Sequence, residues 1–194
     1  MKFSHMRRFI LINSFVVLLL LLAFKFDNRL VILISLIRNS TLDSFFMGIT
    51  EVSSLLIVFL FLTLLFIREN KRRWILPLWV TLAVNVVVGF LLKIIIQRQR
   101  PYQLGLVSVI DALVKNSHNV WDFSFPSFQA MMIFSAIPFL SKEFPKFKYI
   151  WVVFACLVAF SRVYFGLHFL SDVIAGGLIG YMIGYFIMRN VEGK

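Results

Sequence analysis

The feature that most constrains this chain is a series of long apolar runs separated by short segments that carry the charges. Of its 194 residues, 60% are hydrophobic and only 15% are charged, whereas about a quarter of the residues of a typical soluble domain are charged. A transmembrane helix needs roughly 20 mainly apolar residues. Apolar runs that approach or reach this length occupy residues 9–25, 46–67, 75–96, 127–141, 149–162 and 168–188. The chain is therefore predicted to be an all-α, polytopic membrane protein built as a bundle of six transmembrane helices.

The first run follows a basic N-terminus, a pattern shared by membrane anchors and secretory signals. No small-x-small cleavage pattern follows it, because the run ends in Phe24-Lys25-Phe26-Asp27, and this favours an anchor that stays in the membrane. The next apolar stretch, Val31 to Ile37, is too short to cross a bilayer and lies between Arg29 and Arg38. We predict that it forms a short helix in the membrane interface between the first two spans.

The distribution of basic residues predicts the orientation of the bundle. An even number of spans places both termini on one face, and that face collects most of the 20 Lys and Arg residues. The positive-inside rule then puts both termini in the cytoplasm. The net charge of +11 does not indicate nucleic-acid binding, since the basic residues are scattered rather than massed in one segment. Anionic lipid headgroups and an anionic substrate are the expected partners.

Cysteine usage and the lack of linkers further limit the cross-links and the number of domains that the chain can form. Its one cysteine, Cys156, excludes an internal disulfide and a cysteine metal site. Residues 1–194 are expected to form a single membrane-embedded domain. The last span carries Gly176, Gly180 and Gly184, whose spacing of four predicts a small-residue face that packs against a neighbouring helix.

Polar residues cluster at the ends of three predicted spans. The first group lies at the end of the span 75–96. Lys93 and Arg100 are seven residues apart, or two helical turns, so they are predicted to share a helix face, and Pro101 would turn the chain away just past Arg100. Arg98 lies off that face and is expected to contribute much less than Arg100 to a site formed there. Taken alone, these basic residues could equally extend their side chains to the interface as ordinary snorkelling residues.

The second group, Pro126-Ser127-Phe128-Gln129, leads into the fourth span. A serine at a helix start offers a hydroxyl and free backbone N–H groups, which can bind a phosphate oxygen. The same arrangement can simply cap the helix, and capping is the more economical interpretation of this group alone.

The third group contains Ser161 and Arg162, followed by His168 and Asp172. Positions i and i+4 share a helix face, so the Asp172 carboxylate is expected to reach the His168 ring. Such a partner fixes the imidazole tautomer and favours a nucleophilic nitrogen. A purely structural pair is the alternative, but an acidic residue inside an apolar helix favours a functional role.

Together, the three motifs resemble the type 2 phosphatidic acid phosphatase superfamily, over about residues 46–188. These integral-membrane lipid phosphatases are related to vanadium haloperoxidases and bacterial acid phosphatases. The resemblance rests on Lys93-x6-Arg100-Pro101, Pro126-Ser127 and Ser161-Arg162-x5-His168-x3-Asp172.

The resemblance implies a mechanism with no metal and no cofactor, in which His168 forms a phosphohistidine while Asp172 orients its ring. The substrates it implies are membrane lipid phosphates or polyprenyl diphosphates. Bacterial members of this size are similar to phosphatidylglycerophosphate phosphatases and undecaprenyl diphosphate phosphatases. A bacterial cytoplasmic membrane, with the site facing outward, is the expected location. The residues that would hold the phosphoryl group are Lys93, Arg100, Ser127, Phe128 and Arg162.

The second motif departs from the family pattern, which usually reads Pro-Ser-Gly-His. Here Phe128 replaces the glycine, and Gln129 replaces the histidine that protonates the leaving oxygen. The reaction could tolerate this loss, His118 could supply the proton, or the chain could be a weak or inactive lipid-phosphate binder or transporter. A lipid phosphotransferase is a further alternative. A diphosphate needs a general acid less than a monoester does, because phosphate is a better leaving group than an alkoxide, which favours a polyprenyl diphosphate.

Overall fold

The computed structural model describes residues 2–108 and 122–192, with side chains from residue 18 onward except those of residues 55 and 56. All regular structure in this part of the chain is helical, which confirms the predicted all-α class. A short 3-10 turn, Arg72–Trp74, precedes the fourth helix. The eight α-helices of the described residues are α1 (Lys2–Ser35), α2 (Ser40–Val52), α3 (Leu55–Arg68), α4 (Ile75–Ile96), α5 (Phe128–Ser135), α6 (Ile137–Glu143), α7 (Phe147–Tyr164) and α8 (Leu170–Glu192).

Three of the described helices, α4, α7 and α8, are long and apolar enough to cross a membrane. The predicted second span is divided into α2 and α3, which are bent by 58° relative to each other and count as a fourth crossing if the pair is one span. The predicted fourth span is likewise divided into α5 and α6. The chain is therefore an integral membrane protein, and the count of six spans stays a prediction.

The separate interfacial helix is not confirmed. Residues 31–35 are instead the last turns of α1, and Val31 is buried in a cluster with Ala130 and Phe169. This contact with the bundle favours continuation of α1 over a helix lying in the interface. A new helix starts only at Ser40, where the Asn39 side chain accepts a hydrogen bond from the backbone of Leu42.

The glycine face of α8 packs directly on α5, as predicted. A Cβ atom on Gly176, Gly180 or Gly184 would lie within 2.5 Å of a backbone carbonyl oxygen of α5 or its N-cap. The matching carbonyls belong to Ser127, Met131 and Ser135, so both helices keep the same four-residue spacing. The absence of side chains lets the two backbones approach closely and thereby fixes Ser127 beside the start of α8.

Gly180→Ala is expected to destabilise the bundle, because the new Cβ would lie 1.9 Å from the Met131 carbonyl oxygen. A backbone atom cannot rotate away, so the helices must separate, at about 1–3 kcal/mol or more. Thermal unfolding in detergent measures the loss. The matched control is Gly48→Ala, where nothing lies within 4 Å and better helix propensity should make the change neutral or slightly stabilising. Equal melting temperatures for the two variants would contradict the packing interpretation.

The opposite end of α4 is fixed by a buried carboxylate on α6. Glu143 lies 2.7 Å from the Lys71 amine and 2.6 Å from the Arg73 guanidinium, and accepts a hydrogen bond from the Trp74 indole at 2.7 Å. Burial alone would raise the pKa of Glu143, but these three partners lower it to about 2. The turn before α4 is thus anchored to the end of α6.

Candidate active site

The end of α4 and the turn after it provide two of the predicted cations. Helix α4 ends at Ile96 because Gln97 takes a left-handed conformation, with φ of 48°. The prediction that Lys93 and Arg100 share a helix face is therefore wrong, although both side chains approach the same region. Lys93, only 1% exposed, donates a hydrogen bond to the Phe123 carbonyl.

Arg100 reaches the site from the turn beyond α4. Its Nε donates to the Asp122 carbonyl at 2.7 Å, and its Nη1 donates to the Leu167 carbonyl at 3.1 Å. These contacts hold the guanidinium against the link that carries His168. Its position thus depends on the loop partners rather than on helical periodicity.

The five-residue link between α7 and α8 places His168. Helix α7 ends at Tyr164, and Gly166 has a φ of 69°, which a residue with a Cβ adopts only with strain. The Arg162 carbonyl then accepts hydrogen bonds from the backbone N–H groups of Leu167 and His168. This tight turn brings His168 back toward the end of the helix that carries Arg162.

The His168 imidazole is buried, with 4% of its surface exposed, and its Nδ1 lies 2.7 Å from the Ser124 carbonyl oxygen. Because a carbonyl oxygen only accepts, the proton belongs on Nδ1 and the lone pair on Nε2. Burial lowers the pKa of His168 well below its usual value, and the nearby charges of Arg100, Lys93 and Arg162 lower it further. At neutral pH the ring is therefore neutral, with a free nucleophilic nitrogen.

Asp172 does not contact the imidazole directly, contrary to the prediction. Its Oδ2 lies 3.9 Å from Nδ1 of His168, which is too long for a hydrogen bond. The helix starts only at Leu170, so the expected i, i+4 alignment does not form. The fully buried carboxylate instead accepts hydrogen bonds from the Ser124 hydroxyl and from the Phe169 backbone N–H. Ser124 therefore links Asp172 to the ring.

Arg98 belongs to the hydrogen-bond network around Asp172. The sequence alone did not predict this role. Its Nη1 donates to Asp172 at 2.7 Å, and its Nη2 donates to Asp27 of α1 at 2.7 Å. Asp27, 3% exposed, also accepts hydrogen bonds from the backbone and hydroxyl of Ser171. The charge of Asp27 at the end of an apolar run was a signal that could have revealed it.

Two other predicted residues carry buried polar atoms that have no hydrogen-bond partner among the described residues. These atoms are Nε of Arg162 and the hydroxyl oxygen of Ser127. Ser127 is held in place by its backbone, whose N–H donates to the Asp172 carbonyl at 3.0 Å. Buried polar groups are nearly always paired, so these two atoms suit a ligand that offers anionic oxygens.

Comparison with known proteins identifies the family. The model of the PAP2 superfamily matches residues 74–194, more than half of the chain. The chain belongs to the PAP2 superfamily. This confirms the family predicted from the three motifs.

Individual PAP2 relatives agree in fold and in sequence. The crystal structure of a transmembrane PAP2-type phosphatidylglycerolphosphate phosphatase from Bacillus subtilis has a TM-score of 0.72 and 26% identity, with 93% of this chain and 96% of that chain covered. Undecaprenyl-diphosphatase BcrC from Bacillus subtilis is 27% identical over 156 residues, 78% of this chain and 76% of its own.

A third relative matches over a smaller share of its length. An undecaprenyl-diphosphatase from Sulfolobus acidocaldarius is 28% identical over 127 residues, which are 65% of this chain. The match spans 59% of that relative's length.

The two unusual residues of this PAP2 chain have packing roles of their own. The Phe128 ring lies against α4, 3.0 Å from where a Cβ of Gly89 would be. The Gln129 amide donates to both the carbonyl and the hydroxyl of Ser53, where α2 ends and the chain bends into α3. Gln129 thereby satisfies a carbonyl that the interrupted helix leaves free. His118, the candidate replacement acid, lies outside the described residues.

A largely apolar cavity of about 720 Å³ adjoins the start of α8. Leu170 and Val173 line it at the end nearest Asp172, and Tyr181 lines it about 16 Å further along the helix, at 1.5 Å per residue. Helices α1, α5, α6 and α7 supply the other walls, among them Leu19, Phe134, Ile137 and Val152. None of the polar-site residues lines this cavity, whose walls begin at the first turn of α8.

Proposed function

We propose that this PAP2 protein is a lipid phosphatase that removes phosphate from a membrane lipid phosphate or a polyprenyl diphosphate. The observation that carries the proposal is the buried His168 ring, whose Nδ1 lies 2.7 Å from the Ser124 carbonyl oxygen and which has Arg100, Lys93 and Arg162 as its nearby cations. A pure binding site does not require an imidazole with a fixed tautomer and a free nitrogen. The names of the relatives favour the same two substrate classes.

In the proposed reaction, Nε2 of His168 attacks phosphorus, and the bond from phosphorus to the leaving oxygen breaks. A water molecule then hydrolyses the resulting phosphohistidine, which releases inorganic phosphate and restores the imidazole. Arginine guanidinium groups bind phosphoryl oxygens two at a time and neutralise the charge that develops on them. The groups proposed to hold these oxygens are Lys93, Arg100, Ser127, the Phe128 backbone and Arg162.

A lipid is proposed over a soluble phosphate because the site is carried by the ends of membrane-spanning helices, and an apolar groove along α8 begins at Leu170, two residues after His168. A substrate with its phosphate at His168 could extend a hydrocarbon chain past Leu170 toward Tyr181. Burial of each CH₂ group contributes about 0.8 kcal/mol, so such a groove distinguishes lipids from soluble esters. We further propose a bacterial cytoplasmic membrane, cytoplasmic termini and a site facing outward, from the distribution of Lys and Arg.

The alternative of a weak or inactive lipid-phosphate binder has one observation in its favour. Gln129, which replaces the expected acid, is engaged with Ser53 and has no ionisable proton. Slow or absent turnover combined with tight binding of lipid phosphates would support this alternative. Retention of His168 in its bound tautomer favours the enzyme.

Release of inorganic phosphate from a panel of purified lipid monophosphates and diphosphates tests the proposal. Arg100→Ala and Arg162→Ala should each lower kcat/KM by about 10²–10³-fold, as expected for loss of a donor to the transition state. Both changes should also weaken inhibition by vanadate. The exposed Arg189, in the last turn of α8, provides the control, and Arg189→Ala should have little effect. Equal losses at Arg189 and Arg100 would contradict the assignment of the cradle.

A further inference from the structure

The side chain of Arg98 bridges the two buried carboxylates nearest the start of α8. Its two Nη atoms each lie 2.7 Å from a carboxylate, one on Asp172 and one on Asp27. Nη1 also donates to the Ser171 hydroxyl, and the guanidinium stacks 4.0 Å from the centroid of the Phe169 ring. Every residue from Phe169 to Asp172 except Leu170 therefore contacts Arg98 directly.

Arg98 also controls Ser124, the residue that holds the imidazole. The Arg98 backbone carbonyl accepts a hydrogen bond from the Ser124 N–H at 2.7 Å. The Ser124 hydroxyl donates to Asp172, which the Arg98 side chain holds in place. Ser124 is thus fixed at both its N–H and its hydroxyl by groups that depend on Arg98, and its remaining carbonyl binds His168.

Asp27 connects this unit to α1. Its carboxylate accepts from the Ser171 backbone N–H at 3.0 Å and from the Ser171 hydroxyl. A carboxylate at this place satisfies one of the free N–H groups in the first turn of α8 and complements the positive end of the helix dipole. Removing one member of a buried ionic unit leaves the other charges without compensation, which makes the unit sensitive to single changes.

We infer that Asp27 and Arg98 are positioning residues that hold His168 for attack through Asp172 and Ser124. This inference rests on the proposed phosphatase function and assigns a role to the first helix, which lies outside the three motifs. Both side chains contact each other and the start of α8, so neither of them is assigned to phosphate binding. The first helix therefore belongs to the catalytic unit rather than serving only as an anchor.

Kinetics of two conservative variants test this role. Arg98→Lys keeps the charge but loses the planar fork that spans two carboxylates, and Asp27→Asn keeps the shape but loses the charge. Each should lower kcat about 10–100-fold, since a displacement of about 1 Å at a reacting group can cost 10²-fold. KM and vanadate inhibition should change less than about threefold. Arg29→Ala, which removes an exposed arginine two residues from Asp27, should leave kcat unchanged.

Unchanged kcat in folded Arg98→Lys and Asp27→Asn would overturn the inference. A rise in KM at constant kcat would also overturn it, because Arg98 would then bind substrate directly. Melting temperatures identify any variant that fails to fold, and for such a variant Arg98→Gln provides a neutral replacement that still donates hydrogen bonds.

A spectroscopic measurement separates this inference from the proposed function. Histidine labelled with ¹⁵N gives signals from only three residues, and the His168 signal is assigned by its loss in His168→Ala. The native protein should show a protonated Nδ1, and Arg98→Lys should shift this signal or average it with the other tautomer. An unchanged signal would overturn the positioning role. Absence of lipid phosphatase activity in native protein with this normal signal would instead contradict the proposed function alone.

Discussion

His168→Ala is expected to abolish phosphate release, with a loss on the order of 10⁴-fold or more. Removal of a covalent nucleophile costs about 10⁶-fold in the best-studied hydrolase, because no neighbouring group can replace the bond that it forms. His168→Asn should be equally inactive, although its amide can still donate to the Ser124 carbonyl. Initial rates of phosphate release from a lipid diphosphate measure both variants.

Two further measurements connect this loss to the mechanism. Native protein quenched during turnover of a labelled substrate should carry an acid-labile phosphate on histidine, and His168→Ala should carry none. Asp172→Asn should lower kcat severely, because the neutral amide weakens the contacts to Arg98 and Ser124 that fix the imidazole. Hydrolysis should be unaffected by EDTA. Activity that survives the loss of His168, or that disappears with the chelator, would exclude the phosphohistidine mechanism.

The sequence identified the helical class, the family and the glycine face of α8. These features depend on composition and on regular spacing within one helix, and both can be seen in the sequence. Gly176, Gly180 and Gly184 lie well inside α8, so a four-residue spacing translates into a continuous face. Helical periodicity is reliable there because both helix ends are distant.

The errors concern residues just beyond helix ends, where that periodicity no longer applies. The left-handed Gln97 rotates the chain after α4, so Arg98 and Arg100 occupy positions that no helical projection gives. His168 precedes the start of α8, and its ring therefore binds the Ser124 carbonyl rather than the Asp172 carboxylate. Helical periodicity cannot locate a hydrogen-bond partner that is 44 residues distant in sequence.

Hydropathy also could not predict that the helices of the second and fourth spans are interrupted. An apolar run gives the same hydropathy whether the helix is straight or bent, and a break depends on whether freed carbonyls find partners. At Ser53 the partner is Gln129, a residue from another element. The unusual residue of the second motif and the bend in the second span are thus joined by the same hydrogen bonds.

Gln129, which contacts Ser53, leaves the second motif without an ionisable group, and this affects which leaving group can depart. Native protein is expected to hydrolyse lipid diphosphates faster than lipid monophosphates, because Gln129 cannot protonate an alkoxide. The leaving phosphate has a second pKa of about 6, whereas the pKa of an alcohol is far higher, close to that of water. Gln129→His should then raise hydrolysis of monophosphates, by up to about 10²–10⁴-fold, and change hydrolysis of diphosphates much less. The ratio of kcat/KM for the two substrate classes is the measurement.

The structure defines the controls that this experiment needs. Gln129→Leu removes the hydrogen bonds to Ser53 without adding an acid, so it measures the effect of losing that contact alone. Phe128→Gly should be kept separate from Gln129→His, because removal of the partly buried ring beside Gly89 removes packing contacts and destabilises the bundle on its own. His118→Ala should lower native activity only if that residue supplies the proton. A native preference for monophosphates, or equal gains for both substrate classes in Gln129→His, would show that protonation of the leaving group does not determine substrate choice.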